Sequence, residues 1–192
     1  QARRLRADNL FIAPAGANAA ELYQRVLAID PNNMVALQGL DEVTAKILDN
    51  VRSQLQQGDL DRAKELLGQA SAAGLSAQPI NDLRQRIEDA RSRKARVLVL
   101  LETAQELMEN GYLTAPINDN ATALLREVLQ LDPTNGQAKD LLNQCAYRLA
   151  DVAREAYKYD LQSKAKEYMD LALTINPGVA KWVELRDKWG DN

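Results

Sequence analysis

The sequence lacks histidine entirely, and it has a single cysteine, Cys145, in 192 residues. Without histidine there is no Ser-His triad, and most zinc ligand sets are gone. With one cysteine there is no internal disulfide, and a lone thiol fits a reducing or an oxidising compartment equally. Long hydrophobic runs are missing too: residues 97–101 form the longest conspicuous one, whereas a bilayer span needs roughly 18. No glycine-rich phosphate loop is present, Gly16 and Gly111 being isolated. Neither sign of charge dominates, with 24 Lys and Arg against 27 Asp and Glu for a net charge of −3. What the chain does have is 46% hydrophobic residues, enough for a packed core.

The strongest internal signal is self-similarity. Displaced by 102 residues, the sequence matches itself without a gap from residue 13 to residue 84. Ala13-Pro14 falls on Ala115-Pro116, Asn18-Ala19 on Asn120-Ala121, and Asp30-Pro31 on Asp132-Pro133. Asp49 and Arg52 fall on Asp151 and Arg154, and Ala63-Lys64-Glu65 on Ala165-Lys166-Glu167. Within each copy a spacing of 44 recurs, from Ala19 to Ala63 and from Ala121 to Ala165, which implies two helical hairpins per unit. The expected organisation is a first half over 1–102 and a second over 103–192, joined by a long helix at about 79–109. Residues 1–9 align with 103–111 and read as the tail of a further long helix.

Local patterns place the elements. Asn18 is an N-cap, with Glu21 three residues on suggesting a capping box, and Leu22, Val26, Leu27 and Ile29 keep helical spacing. Asp30-Pro31 stops that helix and Asn33 caps the next, whose stripe runs through Ala36, Leu37, Leu40, Val43, Ile47, Val51 and Leu55 to Gly58. Asp59 caps a short helix ended by Gly74, and Pro79 lies in the first turn of the long one. The second copy repeats the order, with caps at Asn120 and at Asn135 or Thr134, and a last helix beginning at Asn176-Pro177. Residues 97–101 alone suit a strand, but no second strand is available to pair with them.

Gly58 and the stretch Asp59-Leu60-Asp61-Arg62-Ala63-Lys64-Glu65-Leu66-Leu67 resemble the second helix of a tetratricopeptide (TPR) repeat. The junctions Asp30-Pro31-Asn32-Asn33 and Asp132-Pro133-Thr134-Asn135 are similar to the end of such a repeat. The period here is 44 rather than about 34, and Leu37 or Lys139 stands where the family has a large aromatic. The resemblance implies an all-α, TPR-like α-solenoid of antiparallel helix hairpins, in two duplicated halves of about 102 residues. The recurring Ala-Pro…Asn-Ala segment also resembles repeat domains appended to bacterial envelope proteins. That resemblance implies a periplasmic module of a larger protein, with a cytoplasmic adaptor as the alternative; the opening Gln1, not Met, fits a segment of a longer chain.

Candidate chemistry is thin. Asp41-Glu42 and Glu88-Asp89 are neighbours on a helix and face apart, so an acid/base pair is not expected. Asn118-Asp119-Asn120 lacks the glycine and distal glutamate of a calcium loop. Ser53, Ser71, Ser76, Ser92 and Ser163 have no histidine to activate them, and Cys145 sits on an apolar stripe as a small core residue. Arg84, Arg86, Arg91, Arg93, Lys94 and Arg96 make six cations within thirteen residues, but no aromatic is interleaved to stack on bases, so a solvated face is favoured over nucleic acid. Six of the nine aromatics lie in the last quarter: Tyr147, Tyr157, Tyr159, Tyr168, Trp182 and Trp189. Tyr168 and Trp182 suit the core, while Trp189 is the more open candidate for a partner.

The sequence therefore points to a non-catalytic protein–protein interaction scaffold with no cofactor or metal and no insertion into a membrane. By family analogy the partner surface includes Gln38, Glu42, Asp140 and Gln144, early in the two long helices. The family's carboxylate-clamp residues are not matched at these positions. A structural spacer or homodimerising arm is the alternative.

Overall fold

The computed structural model describes residues 1–7, 10–12, 14, 16–75 and 77–190; Ala13 and Ser76, named above, and residues 8 and 9 of the segment 1–9 lie outside them. Among the described residues the secondary structure is all helical: α1 (Ala2–Ala7), α2 (Ala19–Ile29), α3 (Met34–Gln57), α4 (Leu60–Ala72), α5 (Ala77–Glu109), α6 (Ala121–Leu131), α7 (Gly136–Lys158), α8 (Gln162–Ile175) and α9 (Ala180–Gly190). Residues 97–101 lie inside α5, so the strand alternative is not realised. No helix of the described residues is long and apolar enough to cross a membrane.

Capping chemistry explains where the helices begin. Helix N-termini leave backbone N–H groups without partners, and a short polar side chain just before the first turn can accept from one of them. Asn18 accepts from the Glu21 N–H at 3.0 Å, Asn33 from Ala36 at 3.1 Å and Asp59 from Arg62 at 3.0 Å. Asn120 and Asn135 do the same for Ala123 at 3.0 Å and Ala138 at 2.9 Å. The expected capping box at Asn18 is only half formed. The Glu21 carboxylate accepts from the Gly16 N–H at 2.7 Å instead of reaching back to Asn18. Gly58 ends α3 in the left-handed region at φ 77°, a conformation glycine takes without a Cβ clash.

The chain divides into two compact units, residues 1–92 and 93–192. In the first, α2 packs on α1 and α3, and α3 on α4. Its core holds Ala19, Ala20, Tyr23, Val43, Ile47, Val51, Ala63, Leu67 and Ala70, completed by Ile80, Leu83 and Ile87 of α5. In the second, α7 packs on α6 and α8, and α8 on α9. Its core holds Leu125, Val128, Cys145, Leu149, Ala165, Met169 and Trp182, with Val97, Leu101, Ala104 and Met108 from the other end of α5. The boundary falls ten residues short of the 102/103 division expected from the repeat, because residues 93–102 of α5 contribute Val97 and Leu101 to the second core.

Three local expectations are corrected. In α2 the buried face is Ala19, Ala20 and Tyr23, whereas Val26 and Ile29 are exposed. In α3, Leu37 is exposed and Gly39 is buried, because the Tyr23 ring occupies the space where a Gly39 Cβ would stand. Finally, α9 begins at Ala180 rather than at Asn176-Pro177; Asn176 is the C-cap of α8, and its N–H donates to Ala172.

Candidate interaction surfaces

A helix that buries one face displays the other, and α3 and α7 display theirs at matching places. Gln38 and Glu42 on α3 are exposed, as are Asp140 and Gln144 on α7. Each pair is spaced four residues apart, so both members lie on one face of their helix. Glu42 is held by an ion pair with Arg6 of α1. On α7 the same stripe continues through Tyr147, which is half exposed and meets Trp182 edge-on with ring centroids 5.0 Å apart. It ends at Asp151, ion-paired with Arg154.

Trp189 does not belong to this surface. It is 6% exposed and stacks on Tyr157 with centroids 4.8 Å apart, so it fills the core of the second unit. The signal was present in the sequence: Trp182, Leu185 and Trp189 keep three-four spacing along α9, the pattern of a buried face. Trp182 is buried and Tyr168 packs half-buried on the same core, as expected.

The basic stretch is partly neutralised within the chain. Arg91 pairs with Asp61, and Arg96 with Glu127, its Nε donating at 2.9 Å. Arg84 donates to Asn81 at 2.8 Å and to the Ser71 hydroxyl at 3.2 Å. These contacts tie α5 to α4 and α6, a structural use of the cations.

Cys145 is fully buried, and burial pushes its thiol up to about 11, partly opposed by the nearby Arg148 guanidinium. A nucleophilic cysteine needs the opposite, an accessible and stabilised thiolate. Among the described residues no three Cys, Asp or Glu side chains gather as a metal site. The Asp132 carboxyl is held below its ordinary value of 3.8, first by the Thr134 hydroxyl and then by the Asn135 amide, in the turn joining α6 to α7.

An apolar groove of about 470 Å³ opens beside α1, α2 and the start of α3, lined by Ala2, Leu22, Tyr23, Val26, Ile29 and Val35 among others. Sequence reasoning missed it, because periodicity assigned Val26 and Ile29 to a buried stripe. No family model, no curated protein and no solved structure matches this chain.

Proposed function

We propose that the chain is a non-catalytic protein–protein interaction scaffold, a TPR-like α-solenoid of two duplicated halves, binding a partner protein or peptide along the exposed faces of α3 and α7. The reading of duplicated halves is supported by hydrogen bonds that recur 102 residues apart. Ala19 N–H donates to Leu10 and Ala121 N–H to Tyr112; Asn18 Nδ2 donates to Pro14 and Asn120 Nδ2 to Pro116. The Asp49–Arg52 pair recurs as Asp151–Arg154.

The observation that carries the functional reading is the doubled stripe: Gln38 and Glu42 recur as Asp140 and Gln144, exposed on both long helices while the faces behind them are buried. Repeat modules use such surfaces to hold extended partners. Membership of a larger bacterial envelope protein, in the periplasm, follows from the resemblance of the Ala-Pro…Asn-Ala segments and is part of the same proposal.

A photo-crosslinking residue placed at Gln38 or at Asp140 is expected to capture one specific partner from cells, and the same residue at Gly68, exposed on α4, is not. Equal capture at all three positions refutes the assignment of the surface. Light scattering tests the scaffold against a homodimerising arm: a tight dimer that buries the two stripes refutes partner binding there.

A further inference from the structure

One turn occurs in both units, and its two occurrences treat the same N–H differently. Ala17 N–H donates to the Pro14 carbonyl and Asp119 N–H to the Pro116 carbonyl, both at 3.2 Å. The third residue of each turn is left-handed, Gly16 at φ 82° and Asn118 at φ 67°. A turn of this kind gathers backbone N–H groups into a concavity suited to anions. In the first unit the anion is internal: Gly16 N–H donates to the Glu21 carboxylate at 2.7 Å. Gln24, further along α2, bridges to the end of α4 by donating to the Ala73 carbonyl.

The second unit keeps the turn and replaces both closing side chains. The position 102 residues after Glu21 is Ala123, and that after Gln24 is Arg126. Among the described residues the Asn118 N–H has no hydrogen-bond partner, and the exposed Arg126 has neither a side-chain hydrogen bond nor an ion pair. Asn118 and Arg126 line one pocket of about 220 Å³, together with Thr114 and the apolar Ile117, Leu171 and Ile175. Ile117 is 87% exposed, an aliphatic side chain held in water on the same pocket as a cation. The pocket is not a bare helix end, because the first N–H groups of α6 are already used. Ala121 donates to Tyr112, Thr122 to Leu113 and Ala123 to the Asn120 side chain. Helices precede and follow every part of it in the sequence, α5 before and α9 after.

We propose that this pocket binds a carboxylate carried on a short aliphatic stem, the chemistry shared by a glutamate side chain of another protein and a small free acid. The carboxylate takes the place that Glu21 fills in the first unit, accepting from the Asn118 N–H and pairing with Arg126. Its stem lies against Ile117, Leu171 and Ile175. A backbone N–H and a guanidinium together give charge-assisted hydrogen bonds to one anion. The volume suits a single side chain or an acid of a few carbons and is too small for a drug-sized ligand. The site lies on α6, α8 and the turn before α6, so the inference does not rest on the surface proposed for α3 and α7.

The test is a titration of the isotopically labelled full chain with sodium butyrate, read by backbone amide and arginine side-chain NMR signals. The Asn118 amide and the Arg126 Nε–H are expected to shift saturably with a single dissociation constant in the millimolar range, as befits a ligand of about six heavy atoms. The Gly16 amide, already bonded to Glu21, is expected to stay in place. Butanol, and sodium chloride at matched ionic strength, are expected to bind at least about five-fold more weakly. Ala123→Glu supplies the internal carboxylate of the first unit and should abolish the butyrate shifts, while Arg126→Gln should weaken binding about five-fold or more. Glutamate blocked at both backbone ends, run in parallel, identifies the source. Binding at least as tight as butyrate assigns a protein side chain, weaker binding assigns a free acid, and both sustain the site. Absence of a saturable shift with either ligand overturns the proposal. An equal response to butanol or chloride overturns it too, as does butyrate binding unchanged by Ala123→Glu.

Discussion

At the scale of single residues, two buried asparagines do more than cap. Asn120 Nδ2 donates to the Pro116 carbonyl at 2.7 Å, while its Oδ1 accepts from the Thr122 hydroxyl at 2.9 Å and from the Ala123 N–H. Asn18 donates to Pro14 at 3.0 Å and accepts from Glu21, but has no hydroxyl partner of its own. Losing a cap costs about 1 kcal/mol, and a buried group left without its partner adds to that. Asn120→Ala is therefore expected to destabilise by about 2 kcal/mol and Asn18→Ala by less, both measured by urea unfolding. Equal or negligible losses count against the network as the anchor of these turns.

Gly39 is the other residue whose role is steric. A Cβ there would lie 2.2 Å from the Tyr23 ring, which cannot yield easily while it is buried. Gly39→Ala should cost roughly 1–3 kcal/mol despite alanine's better helix propensity, and Tyr23→Leu should relieve much of it in the double variant. A thermal melt showing Gly39→Ala at or above the parent stability excludes the notch. Cys145 gives a pH prediction. Its thiol keeps its proton in the folded chain up to about 11, above the ordinary 9.0, so the folded state holds a proton that the unfolded state releases. That contribution is intact below about pH 9 and is lost as pH rises towards 11. Denaturation midpoints should fall over this alkaline window, and Cys145→Ala should flatten the fall.

At the scale of elements, the ends of α3 and α7 invite an exchange. Gly58-Asp59 supplies a left-handed glycine and an N-cap, whereas Asp160-Leu161 holds an aspartate at φ 60° and a leucine that makes no side-chain cap bond. Importing the first pair into the second place, as Asp160→Gly with Leu161→Asp, removes a strained residue and adds a cap. The expected gain is about 1–2 kcal/mol, visible as a higher melting temperature. No gain would indicate that Leu161, half exposed, contributes packing worth as much as a cap.

The caps were legible because their chemistry is local: Asn33, Asp59 and Asn135 act on a backbone N–H three residues away, a relation written in the sequence itself. The exposed face of α2 was not legible. Spacing shows that Val26 and Ile29 share a side with core residues, but not whether a neighbouring helix covers that side, which depends on packing between elements distant in sequence. The Tyr23–Gly39 fit was hidden for the same reason, since its two halves sit on different helices.

At the scale of the molecule, both tryptophans, Trp182 and Trp189, lie in the second unit, so their fluorescence reports on that core alone. Circular dichroism reports on helices of both units. Gly39→Ala, confined to the first unit, is expected to lower the midpoint seen by dichroism more than the midpoint seen by fluorescence. Coincident, equally shifted curves would mean that the two cores unfold as one. The exposed stripes of α3 and α7, although doubled in the sequence, differ in charge as well: Glu42 is committed to Arg6, while Asp140 faces solvent without such an ion pair.

The Tyr23–Gly39 notch bears on how a chain whose sequence partly matches itself 102 residues apart avoids assembling wrongly. The counterpart of Gly39 on α7 is Leu141, and the counterpart of Tyr23 on α6 is Leu125. If α2 settled against α7 during folding, or against α7 of a neighbouring molecule, its ring would meet a leucine side chain where it requires bare backbone. Helices alike enough to be mistaken for each other are thus keyed to separate mates by one aromatic ring and one missing methyl group.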